Sequence, residues 1–111
     1  MLTQTIKKIE TMSGYIGSAI LNEEGEIVYL DEERLVDLAF SSSLFNDTFR
    51  TLSEASLDMG LSKLIRLETE TEEGMVFLIY SNQKNTIFTI FDSKGNISLA
   101  KMILAQALKK V

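Results

Sequence analysis

Hydrophobic residues recur at different spacings along the chain, and each spacing predicts a different element. Residues 2–12 carry apolar side chains at helical spacing, which predicts a short amphipathic helix. Residues 15–21 and 26–30 predict two strands joined by a hairpin turn that contains Gly25. Gly17, in the middle of the first strand, has no side chain, so we expect another element to approach the backbone closely there.

One uninterrupted helical pattern follows over residues 32–59. Asp31 is predicted to cap its first turn, and Leu30 and Leu35 to form a hydrophobic staple across that cap. Such a helix is about 40 Å long, which exceeds what is needed to cover one small sheet. Its apolar and small residues form two lines around the cylinder, with Leu35, Leu38, Ser42, Phe45, Phe49, Leu52, Ser56 and Met59 in one and Val36, Phe40 and Leu44 in the other. Two lines predict two packing partners.

The second half of the chain predicts three strands and a final helix. Residues 75–81 and 86–92 are apolar on both faces, so we expect them in the middle of a sheet. Residues 63–71 alternate between apolar and polar, as edge strands do. This alternation predicts Leu64, Arg66 and Glu68 on one face and Ile65 and Leu67 on the other. Asn96 is predicted to cap the final helix.

These elements predict an α+β protein with the order α-β-β-α-β-β-β-α. The expected architecture is an α/β/α sandwich, in which a five-stranded antiparallel sheet carries the long helix on one face and the two terminal helices on the other. The chain has 111 residues, which fits a single domain over residues 1–111.

Composition argues against several classes of function. The chain has neither His nor Cys, so it offers no disulfide, no thiolate metal site and no histidine base. Its net charge is −5 and its basic residues are scattered, so nucleic acid and anionic membranes are not expected as partners. Charged residues within 7–10 interrupt the N-terminal segment before an apolar signal-peptide core forms, which predicts a cytoplasmic protein.

The remaining polar motifs have simple structural explanations. The acidic pairs at 23–24 and 72–73 fit a general acid and base or a cation site, but acidic residues at hairpin tips are normally solvated. Ser41-Ser42-Ser43 lacks an activating histidine, and small residues inside a helix favour a close helix crossing over catalysis or phosphorylation. We therefore expect a protein that is not an enzyme and that uses no cofactor and no metal.

Three stretches resemble the Roadblock/dynein light-chain family. They are residues 14–21 with the glycine turn that follows, the long helix with its small-residue centre, and residues 92–99 at the start of the last helix. The last stretch reads Asn96-Ile97-Ser98, where the family usually has Asn-Leu-Gly. The likeness covers the chain from about residue 2 to residue 110.

The resemblance implies a homodimer or heterodimer that scaffolds or regulates a small Ras-like GTPase. In such dimers the third strand pairs with its copy across a two-fold axis, and the long helix packs on its counterpart. The dimer interface expected here consists of Leu38, Ser42, Phe45, Phe49, Leu52, Leu64, Arg66, Leu67 and Glu68. Phe45 and Phe49 fit an ordinary core equally well. An axis near Leu67 would place Arg66 opposite Glu68 of the second chain.

The alternative is a small-molecule sensor or interaction module of the PAS type, because residues 24–30 look like the opening hairpin of that family. Such sensors usually place several short helices between their second and third strands, whereas one helical pattern fills that interval here. The chain also lacks a nucleotide-binding loop of the Gly-x-x-x-x-Gly-Lys type, so it is not expected to be the GTPase itself. Arg34, Arg50 and Arg66 are weak candidates for an arginine finger.

Overall fold

The computed structural model of the chain describes residues 2–32, 37–92 and 94–109. The elements follow in the predicted order: α1 (Leu2–Ile9), β1 (Tyr15–Asn22), β2 (Ile27–Glu32), α2 (Leu38–Asp58), β3 (Arg66–Glu70), β4 (Val76–Ser81), β5 (Asn85–Phe91) and α3 (Ile97–Lys109). Among the described residues, no helix has both the length and the apolar character that crossing a membrane requires.

The five strands form one antiparallel sheet in the order β2-β1-β5-β4-β3. Strand β5 lies in the centre and is buried along almost its whole length, as its two apolar faces predict. Strands β2 and β3 lie at the two edges, so the predicted edge position of β3 is confirmed.

Each face of the sheet supports its own hydrophobic core. Under α2, Leu38 and Phe49 pack with Phe88 of the central strand and its neighbours. On the other face, Ile6 of α1 and Leu104 of α3 pack together over the sheet. The predicted α/β/α sandwich, with the long helix on one face and the terminal helices on the other, is confirmed.

The close approach predicted at Gly17 is made by α2 and by the neighbouring strand β2. A Cβ atom added to this glycine would lie 3.2 Å from the side chain of Leu38 and 3.0 Å from the carbonyl oxygen of Asp31. A larger residue would push the first turn of α2 away from the sheet.

The predicted start of the long helix is wrong. Strand β2 continues through Asp31 to Glu32, because these residues still pair with β1, and Asp31 accepts a 2.6 Å hydrogen bond from the Tyr15 hydroxyl. The N-cap of α2 is instead Asp37, whose Oδ1 accepts a 3.0 Å hydrogen bond from the backbone N–H of Phe40. Leu30, one half of the predicted staple, lies in β2. The predicted positions of Arg34, Leu35 and Val36 lie outside the described residues.

The predicted alternation in β3 is correct only within the strand itself. Leu67 packs on the α2 side and Arg66 and Glu68 lie on the other side, as expected. Leu64, however, also packs on the α2 side, whereas Ile65 is exposed. The ladder with β4 begins at Arg66, so the two-residue period does not apply to the residues before it.

Both terminal helices lie close to their predicted positions. Asn96 caps α3, and its Oδ1 accepts a 3.3 Å hydrogen bond from the backbone N–H of Leu99. Helix α1 ends at Ile9, short of the predicted residue 12, because the chain turns there before it enters β1.

Candidate interaction surface

One line of exposed residues along α2 contains no charged side chain, although the exposed Asp47, Glu54 and Asp58 lie beside it on the same helix. We call this line the outer stripe; its members are exposed and, apart from the adjacent Thr51 and Leu52, recur at intervals of three and four residues: Phe40, Leu44, Thr48, Thr51, Leu52, Ala55 and Met59. Phe40 is 64% exposed and Leu44 52%. A run of large apolar side chains along one helix face is unusual on a free surface and is typical of a protein contact.

The threonines of the outer stripe present little polarity to solvent. The hydroxyl of Thr48 donates a 3.1 Å hydrogen bond to the carbonyl oxygen of Leu44. The hydroxyl of Thr51 donates a 3.0 Å hydrogen bond to the backbone carbonyl oxygen of Asp47. Both hydroxyl protons are therefore satisfied by the helix itself, as is common for threonine in a helix. The outer stripe behaves as an apolar surface along its length.

The apolar surface continues into the connection between α2 and β3. Leu61 and Ile65 are both exposed, and they follow Met59 at the end of the outer stripe. Two hydrogen bonds that involve serine side chains fix the connection to α2: Leu64 N–H donates to Ser53 Oγ at 2.9 Å, and the Ser56 hydroxyl donates to the carbonyl oxygen of Ser62 at 2.6 Å.

Strand β3 ends the sheet on this side. Within residues 2–32, 37–92 and 94–109 it pairs only with β4, so its outer edge carries backbone donors and acceptors that no other described strand uses. The strand is short and carries charge, as exposed edges usually do, yet it adjoins the apolar surface of Leu61 and Ile65. The unpaired edge of β3 therefore follows directly on the exposed apolar side chains of the connection from α2.

The carboxylate of Glu68 is held on the terminal-helix side of β3. Its Oε2 accepts a 2.9 Å hydrogen bond from the Tyr80 hydroxyl, and its Oε1 lies 3.0 Å from Lys101 Nζ. Burial raises the pKa of this carboxyl, but the hydrogen bonds from Lys101 and Tyr80 and the charges of Lys101 and Arg66 outweigh it and lower the pKa. Burial, followed by the hydrogen bond and charge of Glu68, raises the pKa of Tyr80 to about 12.

The residues predicted for a dimer interface separate into two groups. Leu38, Ser42 and Phe49 are buried in the chain's own core, so a second chain cannot reach them while the fold is intact. Phe45 is half-buried, with its ring 5.0 Å from that of Phe77 in an edge-to-face contact. Leu64 and Leu67 pack against the same core. Of the predicted interface residues, only Leu52, Arg66 and Glu68 are exposed, and Leu52 alone belongs to the outer stripe.

Most of the α2 residues expected at a dimer interface therefore lie on the line that faces the sheet, whereas Leu52 is exposed. The line of Leu38, Ser42, Phe45 and Phe49 faces the sheet, and the line of Phe40 and Leu44 faces outward. Both lines were visible in the sequence. Periodicity alone does not say which of two apolar lines meets the chain's own sheet.

The other candidate chemical sites lie in ordinary structural environments. The acidic pairs 23–24 and 72–73 are exposed in turns, and the part of the chain that the structure describes contains no group of three or more acidic residues that could hold a metal ion. Ser42 donates a 3.2 Å hydrogen bond to the carbonyl oxygen of Ala39 and faces the sheet. The guanidinium of Arg50 donates to the carbonyl oxygen of Glu23.

Comparison with solved structures identifies the architecture. A Roadblock/LC7 domain from Streptomyces avermitilis superposes with a TM-score of 0.78, covering 96% of this chain and 89% of its own, at 8% identity. The chain has a Roadblock-like fold. MglB in a tetrameric arrangement gives a TM-score of 0.81 at 11% identity, with 97% of this chain and 82% of that chain covered. MglB of Thermus thermophilus gives a TM-score of 0.77 at 11% identity, with 98% of this chain and 89% of that chain covered.

Sequence comparison alone finds no relative: no protein-family model matches the chain, and neither does any curated protein. The Roadblock-like fold is thus carried by a sequence that shares about a tenth of its residues with the structures it resembles. The interval between β2 and β3 contains the single 21-residue helix α2 in its described part, which differs from the several short helices expected of a PAS-type sensor.

Proposed function

We propose that the chain is a non-enzymatic cytoplasmic scaffold or regulator that forms a homodimer and binds a small Ras-like GTPase. The observation that carries the proposal is the outer stripe of α2, which joins the exposed Leu61 and Ile65 beside the unpaired edge of β3. The Roadblock-like fold supports it, because MglB, which shares this fold, has been found in a tetrameric arrangement.

In the proposed dimer, the outer stripes of two α2 helices pack together while the two β3 edges pair antiparallel. Pairing removes both exposed edges and joins the two sheets into one. Leu52 remains in the interface, and Phe40 and Leu44 replace Leu38, Ser42 and Phe49 from the sequence-based prediction. Arg66 and Glu68 remain candidates for cross-axis pairs, but Glu68 already binds Tyr80 and Lys101, so such pairs would contribute little to affinity.

The dimer is tested by measuring mass in solution. We expect the wild-type protein to be a dimer at tens of micromolar in light scattering or analytical ultracentrifugation. Leu44→Glu places an unpaired charge in the proposed interface and should give a folded monomer. Val28→Glu makes the same kind of change at an exposed site on β2, at the opposite edge of the sheet, and should leave the dimer intact. A wild-type monomer at this concentration, or a Leu44→Glu dimer as stable as wild type, would contradict the proposal.

The GTPase would bind across the two α2 helices, because a dimer presents a continuous platform that one chain does not. None of the residues in the outer stripe is charged, and the Arg50 guanidinium is bound to the turn at Glu23. We therefore expect any change in the rate of GTP hydrolysis to arise from reshaping of the partner's own switch residues, and pure tethering fits the surface equally well.

Binding is tested by pull-down against the Ras-like GTPases of the source organism, each loaded with GDP and with a non-hydrolysable GTP analogue. We expect at least one GTPase to bind the wild-type protein and the Val28→Glu variant. The same GTPase should not bind the Leu44→Glu variant. Single-turnover hydrolysis then separates a regulator from a tether. If no GTPase binds in either nucleotide state, the proposed GTPase partner is wrong. The proposed homodimer is tested separately and would not be affected by that result.

A further inference from the structure

A cleft lies beside the C-terminal half of α2, between the helix, the turns of two hairpins and the segment that precedes β3. Its volume is about 360 Å³, and its walls come from α2, from the β1–β2 and β4–β5 turns and from the segment that precedes β3. Phe49 and Leu64 contribute apolar surface, whereas Asn46, Lys63 and Glu54 contribute polar groups. This volume is within the range of small-molecule sites, near its lower end.

The amide of Asn46 is the most informative group in the cleft. The residue is only 3% exposed, it lines the cleft, and within the described chain its side chain forms no hydrogen bond. Among the described residues no fully buried side-chain nitrogen or oxygen lacks a partner, so the Asn46 amide is reached by the water in the cleft. A ligand in the cleft can replace that water as its hydrogen-bond partner. The amide offers a donor and an acceptor at one place, so a molecule that carries both would satisfy it.

The charges that line the cleft are arranged in a compatible way. Lys63 and Glu54 both border it, yet they form no ion pair with each other or with any other described residue. Arg50 also borders it and is anchored by its hydrogen bond to the carbonyl oxygen of Glu23, so its position in the wall is fixed. A cation and an anion that share a cleft without pairing leave room for a ligand with one charge of each sign.

We propose that this cleft binds a small zwitterion of the α-amino-acid class. Its carboxylate lies toward Lys63, its ammonium lies toward Glu54, and the Asn46 amide bonds to one of these groups. The apolar surface of Phe49 and Leu64 takes the side chain of the ligand. The lining of the cleft contains no residue of the outer stripe, so the proposal does not depend on the proposed dimer or on a GTPase partner, although Lys63 and Leu64 adjoin Leu61 and Ile65 in the chain.

The test uses the twenty common L-amino acids as individual probes in the millimolar range. Thermal unfolding of the wild-type protein should show a rise in melting temperature of several degrees with at least one of them. The side-chain amide resonances of Asn46 should shift in a saturable way in a ¹⁵N-correlated spectrum with the same probe. Acetate alone and methylammonium alone should have no comparable effect, because each carries only half of the recognised charge.

Three variants locate the site. Asn46→Leu keeps the size of the side chain and removes the amide, and Lys63→Met removes the cation; each should weaken binding by about tenfold or more. Lys94→Met removes an exposed lysine that does not line the cleft and should bind as wild type does. The proposal is overturned if no amino acid shifts the melting temperature or the Asn46 resonances. It is equally overturned if Asn46→Leu and Lys63→Met bind as tightly as wild type, or if acetate or methylammonium reproduces the effect.

Discussion

The Tyr80 hydroxyl donates a 2.9 Å hydrogen bond to Glu68 across the β3–β4 ladder. Because Lys101 of α3 lies 3.0 Å from the other oxygen of the same carboxylate, one side chain connects β3, β4 and the terminal-helix layer. Strand β3 is short and has a neighbour in the described sheet on one side only, so this connection restrains the strand that the proposed dimer uses.

This contact predicts a loss of stability at high pH. The pKa of Tyr80 is raised to about 12 in the folded protein, whereas an unfolded tyrosine titrates near pH 10. Between these two values the unfolded chain releases a proton that the folded chain retains, so the free energy of unfolding falls as pH rises through this window. Urea denaturation at several pH values up to about 12 measures the effect.

Tyr80→Phe should cost about 1 kcal/mol at neutral pH and should make the high-pH decline shallower. Tyr29, whose pKa is also raised, mainly by burial, provides the control. Tyr29→Phe should keep the part of the high-pH decline in unfolding free energy that Tyr80 causes. A decline as steep in Tyr80→Phe as in wild type would contradict the assignment.

The N-cap of α2 predicts a specific set of substitutions. Asp37→Ala removes the acceptor for the Phe40 N–H and should destabilise the protein by about 1 kcal/mol. Asp37→Asn keeps a capping oxygen and should recover most of the loss, as measured by chemical denaturation. Asp31→Asn, at the position that the sequence suggested, should not act through helix capping because Asp31 lies in β2. Equal stability of Asp37→Ala and Asp37→Asn would show that the cap contributes little.

Two glycines with nearly the same backbone angle predict very different costs. Gly14 has φ +83° and Gly60 has φ +84°. A Cβ at Gly14 would lie 2.7 Å from backbone atoms of Gly95, whereas one at Gly60 would have nothing within 4 Å. Gly60→Ala should therefore cost only the left-handed strain of about 1–2 kcal/mol. Gly14→Ala should cost clearly more, because two backbone segments must separate.

Thermal and urea unfolding of the two alanine variants would measure this difference. Equal losses would mean that the Gly14–Gly95 contact is easily relaxed.

The core predicts a similar contrast within α2. Phe49 is 5% exposed under the helix, and Phe40 is 64% exposed on the outer stripe. Phe49→Ala should destabilise the protein by about 3–5 kcal/mol. Phe40→Ala should change the stability of the monomer by less than about 1 kcal/mol, and any larger effect should depend on protein concentration because it acts through the dimer. Denaturation at two protein concentrations separates these contributions.

The sequence predicted the order of the elements and the two layers because hydrophobic periodicity records which face of each element is covered. It failed at the start of α2, because the pairing of Glu32 with Gly17 keeps the chain in the sheet and no local signal reports that pairing. Tyr80, Glu68 and Lys101 also gave no local signal, because the chain brings them together only on folding. Asn46 does have a signal in the sequence, because it lies four residues after Ser42 and three before Phe49, next to the line that faces the sheet.

The central position of β5 affects the folding of the chain during synthesis as well as the stability of the finished sheet. Ser18 in β1 and Thr89 in β5 share a buried 2.8 Å hydrogen bond although 71 residues separate them in the chain. At a synthesis rate of about 5–20 residues per second, β1 waits about 4–14 seconds for its central partner to leave the ribosome. During that time β1 has only its hairpin with β2, and the apolar faces that later lie under both helix layers stay open to water. The nascent chain therefore carries an unfinished sheet through most of its synthesis, and ribosome-bound chaperones have their longest opportunity to bind it in that interval.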